Sequence, residues 1–366
     1  MPLAIGSYEK LRDLDDGAGL LNLAWTQDER EHLSADVMAV VAGELAAELA
    51  EDLPYIGDYL VQDPYGEKLL GPVVAAYFGR PGWDASVTCG AGVGPLLHDL
   101  SLLARGGTVQ AVTDVYPDFP HWVDRAGGHC APSGTGPDAG VLLLERPALT
   151  GRRYAELDAV RELCATAARR GAVVLVDESN ANYCPPGYSA ANLAPEVPNL
   201  IVVRGLSKAY GLGGVRLGYC VASSAMTDTV RGAVTPLGAS SLSLRIGRRV
   251  LGLGDVTGGL RERIARTRPY VRDLLAGAGL PEPVEAADGL PYVLFPDEPR
   301  RAVELLAARG VQAKVHPVWS FRSGGLVEVG RVSVPLRGSR LTDLEQRLAR
   351  TPSPASAPRP PERAGS

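Results

Sequence analysis

One lysine in this chain is set up for nucleophilic chemistry. Lys208 lies in the run Ser207-Lys208-Ala209-Tyr210-Gly211-Leu212-Gly213-Gly214-Val215-Arg216-Leu217-Gly218-Tyr219. The apolar stretch Leu200-Ile201-Val202-Val203 leads into it, and Tyr219-Cys220-Val221-Ala222 leaves it. The lysine is therefore held on a glycine-rich loop between buried elements, eight residues before an arginine. Desolvated beside a fixed cation, such a lysine can lose its proton near neutral pH and act as an amine nucleophile. Schiff-base chemistry needs an amine of this kind.

Other residues have types and positions that suit the same chemistry. Asp177 directly follows the apolar run Ala172-Val173-Val174-Leu175-Val176, at the carboxyl end of a buried strand. An acid there can face a buried cation such as a pyridinium nitrogen, whose retained proton makes the ring an electron sink. Gly90-Ala91-Gly92-Val93-Gly94 precedes a helical stretch, and its glycines let backbone approach a phosphate at a helix N-terminus. Ser207 and Arg216 flank Lys208 closely enough to reach that phosphate. Tyr116 follows the strand at 108–112 and can stack on a flat ring. Arg331, opening a strand in Gly330-Arg331-Val332-Ser333-Val334, suits a carboxylate held bidentately. Taken singly, each has a plain alternative: an N-cap, a tight turn, a loop aromatic, a surface salt bridge. One ligand explains all of them together.

These residues must be positioned by a frame, and the hydrophobic pattern predicts one. Helices are expected over 34–50, capped by Ser34, over 66–79, from the glycine turn through Leu103, near 119–127 and over 155–170. Strands are expected at 108–112, 141–144, 172–176, 200–203 and 218–221. Near-continuous apolar strands alternating with amphipathic helices predict an α/β fold, a mostly parallel sheet covered by helices. From about residue 256 the character changes to an arginine-rich helix and a smaller α+β unit with elements at 292–295, 302–308 and 331–334. The expected division is an N-terminal segment (1–33) joining the small domain, a large domain (34–255), a small domain (256–350) and a disordered Pro/Ser/Ala tail (351–366).

Composition excludes several classes. A formal charge of −5 argues against a nucleic-acid footprint, and no apolar run approaches the ~18 residues of a membrane span. Met1-Pro2-Leu3-Ala4 has no signal-peptide character, and five scattered cysteines without a CxxC read as reduced cytoplasmic thiols. Five histidines, none in a ligand-like pair, predict no metal site.

The Ser207–Tyr219 run, with Asp177 and the Gly90 turn, resembles the class I/II aminotransferase group of fold-type I pyridoxal-phosphate enzymes. Its members include histidinol-phosphate aminotransferases and threonine-phosphate decarboxylases, and the resemblance covers roughly residues 20 to 350. It implies pyridoxal 5'-phosphate as cofactor, linked to Lys208, with Asp177 on the pyridine nitrogen. It implies Gly90, Ala91, Gly92, Ser207 and Arg216 on the phosphate, Tyr116 on the ring, and Arg331 on the substrate carboxylate. The stretch Asn22-Leu23-Ala24-Trp25 resembles the segment that closes over substrate, so Ala24 and Trp25 are expected at the substrate. It also implies a homodimer with shared active sites, in which Tyr59 or Tyr65 reaches the partner's phosphate.

The chain departs from the family pattern in three places. Glu145-Arg146-Pro147-Ala148-Leu149-Thr150-Gly151 puts Ala148 where the family has an asparagine on the cofactor's phenolic oxygen. Asp177-Glu178-Ser179-Asn180 puts Asn180 at a second donor position, unless Tyr183 substitutes, and Gly205 replaces a hydroxyl residue. The expected chemistry is displacement of Lys208 by a substrate amine, then removal of the α-proton by the freed lysine. Transamination is the leading outcome. Elimination, replacement or cyclisation, for example on S-adenosylmethionine, is the alternative, with decarboxylation behind it. The retained Lys208 argues against an idle cofactor-binding effector domain.

Overall fold

The computed structural model describes residues 19–51, 56–57, 59–134, 139–151, 154–287 and 289–350. The Pro/Ser/Ala tail and the first part of the N-terminal segment lie outside them. Strand β1 (Leu21–Asn22) comes first, then helix α1 (Val37–Ala50). Asp36, not Ser34, caps α1: its carboxylate accepts the Met38 and Ala39 backbone N–H at 3.0 Å. A charged oxygen one residue before the first turn displaces the hydroxyl expected there. Ser34 instead donates its backbone N–H to the Val256 carbonyl at 2.9 Å.

Helix α2 (Glu67–Tyr77) and strand β2 (Ala85–Gly90) follow, then α3 (Val93–Leu100), β3 (Thr108–Ala111), α4 (Asp118–Arg125) and β4 (His129–Ala131). Next come β5 (Val141–Glu145), α5 (Leu157–Ala168), β6 (Val173–Asp177), β7 (Leu200–Gly205) and β8 (Gly218–Ser223). The seven strands lie in the order β2-β8-β7-β6-β5-β3-β4, and only β8 runs antiparallel to its neighbours. The mostly parallel α/β sheet expected from the apolar runs is the one formed. β4 is too short, at three residues, to leave a periodic signal.

Both faces of the sheet are buried, which is why its strands read as apolar throughout. Leu142, Leu144, Val174, Val176, Leu200 and Val202 pack on one face. Leu143, Leu175, Ile201 and Val203 pack on the other, under Leu96, Leu97 and Leu100 of α3. Side chains alternate along a strand, so Glu145 and Asp177 emerge on the α3 face, in register with each other.

Helices α6 (Thr227–Ala233), α7 (Ser241–Gly252) and α8 (Gly258–Gly277) lead to a second unit. It comprises β9 (Val284–Glu285), β10 (Tyr292–Phe295), α9 (Pro299–Ala307), β11 (Val311–Gln312), β12 (Lys314–Ser320), β13 (Gly325–Ser333) and α10 (Gly338–Ala349). An antiparallel sheet runs β12-β13-β10-β9, and β1 pairs in parallel with β11. Arg331 does not open a strand: it is seventh in the nine-residue β13, between Leu294 and Lys314. The β12–β13 hairpin extends the strand backwards from the arginine. Pro317 is tolerated because β12 is an edge strand.

A buried ion cluster joins the ends of the central strands. Glu178 accepts from Arg146 Nη1 at 3.1 Å and from Arg204 Nη1 at 2.6 Å, and all three side chains are at most 1% exposed. The Ala190 backbone N–H at 2.7 Å and the Ser189 hydroxyl complete its coordination. Arg146 also donates to the carbonyls of Tyr154, Ala155 and Tyr188. Removing one member of such a cluster strands a buried charge. Glu178→Gln is expected to lower stability by about 3–5 kcal/mol in denaturant unfolding; a loss under about 1 kcal/mol would count against a structural role.

Candidate active site

The sequence places Lys208 three residues past β7, and the fold turns it toward Asp177. Lys208, Ser207, Gly205, Asp177, Ser179, Tyr116, Arg216, Val93, Gly94 and Leu97 line one cavity of about 190 Å³. Lys208 and Ser207 also border a second cavity of about 290 Å³, with Thr26, Gln27, Glu29, Arg30 and Gly211. Lys208 therefore lies between the α3 face and the N-terminal segment.

Asp177 is 5% exposed and accepts the Ser179 backbone N–H at 2.8 Å. Burial pushes its carboxyl above the usual carboxylate range, while the Ser179 hydrogen bonds and Lys208 pull it back. A cation opposite would hold it ionised.

The turn between β2 and α3 is built around missing side chains. Gly92 has φ +110°, and a Cβ on it would sit 2.6 Å from Arg216 Nη2. On Gly205 a Cβ would sit 2.7 Å from Val93 Cγ2 and 3.1 Å from the Leu217 carbonyl. The hydroxyl residue that resemblance would put at 205 therefore does not fit this packing. Arg216 is exposed, and its guanidinium contacts the Gly213 carbonyl at 3.1 Å. Among the described residues no carboxylate pairs with it. A helix N-terminus with an unmatched guanidinium beside it is an anion site. Gly90, Ala91 and Gly92 lead into that turn but are not among the residues bordering the cavity, which begins at Val93 and Gly94.

Tyr116 donates its hydroxyl to Asp118 at 2.9 Å and leaves its ring on the cavity wall. Asn180 leaves its Oδ1 buried without a partner. Tyr183 is not available to replace it: fully buried, it donates its hydroxyl to Glu29 at 2.9 Å. Arg331 is 7% exposed; its Nη2 donates to the Ala24 carbonyl at 3.1 Å and its Nε has no partner. Ala24 is thus brought to Arg331, while Trp25 is partly buried beside it in the chain. Tyr59 and Tyr65 line neither cavity. Tyr59 is 83% exposed, and Tyr65 donates its hydroxyl to the Arg231 carbonyl at 3.2 Å.

Three residues without an assigned role in the sequence reading stand at this site. Glu145 ends β5 in register with Asp177. Burial and Asp177 push its carboxyl well above the usual range, while Lys208 and Arg331 pull it down. Its one signal in sequence is an acid ending an apolar strand, the same signal that marks Asp177. Asp114, after β3, accepts from Thr150 Oγ1 at 2.5 Å and from the Phe321 backbone N–H at 3.3 Å. His316 of β12 leaves Nδ1 buried and unpartnered. Burial, with Arg331, Lys314 and Lys208 nearby, holds its imidazole neutral well below the usual histidine value. Nothing local in the sequence marks it.

The architecture is that of the fold-type I pyridoxal-phosphate enzymes. It matches L-threonine-O-3-phosphate decarboxylase from Porphyromonas gingivalis with a TM-score of 0.66 at 15% identity, over 90% of this chain and 98% of that one. It matches histidinol-phosphate aminotransferase from Sinorhizobium meliloti, solved with pyridoxal-5'-phosphate, with a TM-score of 0.68 at 18% identity, over 93% and 96%. The family model for aminotransferase class I and II matches residues 150–336, and the chain belongs to that family. Histidinol-phosphate aminotransferase 1 of Legionella pneumophila (strain Paris) is 29% identical over 135 residues, 37% of this chain and 36% of that protein. The curated relative is thus matched over little more than a third of its own length.

The Gly92 geometry yields a test. Gly92→Ala is expected to displace the Arg216 guanidinium and weaken binding of inorganic phosphate or pyridoxal phosphate by about 1–3 kcal/mol. Calorimetric titration of the variant against wild type reads this directly.

Proposed function

We propose that this chain is a pyridoxal-phosphate enzyme acting at the α-carbon of an amino acid, as an aminotransferase does. The observation that carries the reading is the meeting of Lys208, Asp177, Ser207, Arg216 and Tyr116 on one cavity wall. The residues fit the cofactor. Asp177 is a buried acid in want of a cation. Arg216 and the α3 N-terminus form an anion site with no room for a Cβ at Gly92, and Tyr116 offers a ring face. When bound, the cofactor supplies an electron-poor ring into which charge on the substrate's α-carbon delocalises.

The chain's own residues then have distinct tasks. Asp177 keeps the ring nitrogen's proton in place. Ser207, Arg216 and the Gly90-Ala91-Gly92 turn hold the phosphate. Arg331 binds the α-carboxylate through its free Nε edge, with the Ala24 carbonyl fixing its other side. Lys208 Nζ removes the α-proton and returns it. Asn180 would donate its side-chain Nδ2 to the phenolic oxygen. We further propose the division into a segment at 1–33, domains at 34–255 and 256–350, and a homodimer in which Tyr59 or Tyr65 reaches the partner's phosphate. The pairing of β1 with β11 and the exposure of Tyr59 support these readings.

A second reading has its own support. Ala148 lines a cavity wall with no polar atom to offer the cofactor, so the electronics differ from plain transamination, and loss of a group from Cβ or Cγ competes with it. Purified protein is expected to take up one equivalent of pyridoxal phosphate and absorb visibly. Borohydride should then fix the cofactor's mass on the peptide of Lys208, and Lys208→Ala should abolish that adduct. A wild type that stays colourless with excess cofactor sinks the proposal. Keto-acid release from a reactive amino acid marks transamination; release of a side-chain fragment marks the second reading.

A further inference from the structure

A third cavity, of about 650 Å³, opens beyond Glu145. Asp114, Glu145, Tyr154, Tyr188, Phe321 and Ala148 line it, with Thr113, Thr150 and Ser320 among the smaller groups. Its size is that of a site for a whole ligand. Glu145 stands at the junction of this cavity with the reacting centre: Lys208, Asp177 and Arg331 all act on its carboxyl. Glu145 pairs in register with Asp177, so this space adjoins the reacting centre across the ends of β5 and β6.

The charges lining the space are unbalanced. Arg146 is consumed by Glu178 and three backbone carbonyls. Arg322 is exposed and lies over the Phe321 ring, 5.4 Å from its centroid. No Lys or Arg head group among the described residues pairs with Glu145 or Asp114, so two acids face the cavity without a cation. Tyr154, Tyr188 and Phe321 complete the wall; Arg146 already covers the Tyr188 ring and Arg322 the Phe321 ring, and the Tyr154 ring can attract a further cation. At the reacting end, Arg331 is 7% exposed with Nε unpartnered, and the reading above assigns the ligand's carboxylate to it. An anionic side chain would meet two carboxyls and, among the described residues lining the cavity, no free buried arginine.

We propose that this cavity receives the substrate's side chain, and that this side chain is cationic, held by Glu145 and Asp114 against the aromatic wall. The inference rests on the amino-acid reading above and adds the substrate class. Ammonium, guanidinium and sulfonium groups share the required chemistry. Glu145 also makes binding pH-dependent. Burial, Asp177 and Asp114 push its pKa up, Lys208 and Arg331 pull it down, and Arg146 and Arg322 line the same cavity. Held above the usual range, Glu145 is protonated at pH values below its raised pKa, and an arriving cation expels that proton. Affinity for a cation therefore rises with pH until Glu145 is ionised.

The test is calorimetric binding to the cofactor-loaded protein, with thermal shift in parallel, using L-ornithine, L-arginine, S-adenosylmethionine, L-norleucine and L-glutamate. At least one cation is expected to bind about tenfold or more tightly than norleucine, the value of one charged hydrogen bond. Glu145→Gln should lower that cation-to-norleucine ratio about tenfold and remove its rise with pH. Asp114→Asn, which keeps an acceptor for Thr150 and Phe321, should lower it too and serves if Glu145→Gln does not fold. Preference for S-adenosylmethionine over ornithine and arginine assigns the cation to sulfonium; the reverse assigns it to a nitrogen base. Norleucine or glutamate binding as tightly as every cation overturns the proposal, as does a cation preference unchanged in both variants. Failure to take up cofactor overturns the parent reading instead, and the same ligand series on that protein still decides the charge preference.

Discussion

The site depends on one buried carboxylate. Glu178 sits between Arg146 and Arg204 with none of the three exposed beyond 1%. Arg146 follows β5, Glu178 follows β6 and Arg204 lies in β7, so this cluster locks the carboxyl ends of three neighbouring strands. Ligands on parallel sheets bind at that edge, and here the edge carries Glu145, Asp177 and Gly205. Two guanidinium groups inside a protein are costly alone. Around Glu178 they become a fixed scaffold: the Ser189 hydroxyl and Ala190 N–H complete Glu178, three carbonyls accept from Arg146, and Asn182 Oδ1 accepts from Arg204, whose Nε stays buried without a partner.

The locked edge accounts for the altered motif at 145–151. Arg146 is turned inward to the cluster and stacks on Tyr188, 3.7 Å from the ring centroid. Glu145, one residue earlier, then points to the opposite face beside Asp177. Ala148 is 8% exposed and forms wall instead of supplying a hydrogen bond. One short segment thus carries three jobs: a structural cation, an acid at the reacting centre and an apolar wall.

Much of this was legible in the sequence, and the reasons are local. The Ser207–Tyr219 run, the Asp177 strand end and the glycine turn depend on neighbours in the chain, and the fold brings them onto one cavity. The alternation of apolar strands and helices gave the sheet, since both-face burial leaves a continuous apolar signature. What escaped depends on contacts distant in sequence. Tyr183 looked like a spare donor until Glu29, 154 residues away, took its hydroxyl. Asp114 and His316 gain meaning only when β12 passes over the site. The position of Arg331 within β13 follows from hairpin pairing with β12, and no periodicity in Gly330–Val334 reports it.

That hairpin also bears on selectivity. Its end is joined to the loop after β3: Val115 and Trp319 exchange two backbone hydrogen bonds of 3.0 Å, Ser133 donates to the Phe321 carbonyl at 2.7 Å, and Asp114 accepts from the Phe321 N–H. Arg331, paired with Lys314 in the same hairpin, is therefore tied to Asp114 through continuous backbone pairing. Arg331 and the acidic wall are thus held at a set separation by the hairpin's backbone pairing. Fixed anchors reward a ligand whose charges match their spacing and penalise one that strands either charge. On the proposed reading, a substrate reaching Arg331 with its carboxylate but leaving Glu145 and Asp114 unmatched would give up part of its binding energy. Discrimination by length and charge would then belong to the joined hairpin as much as to the residues that line the cavity.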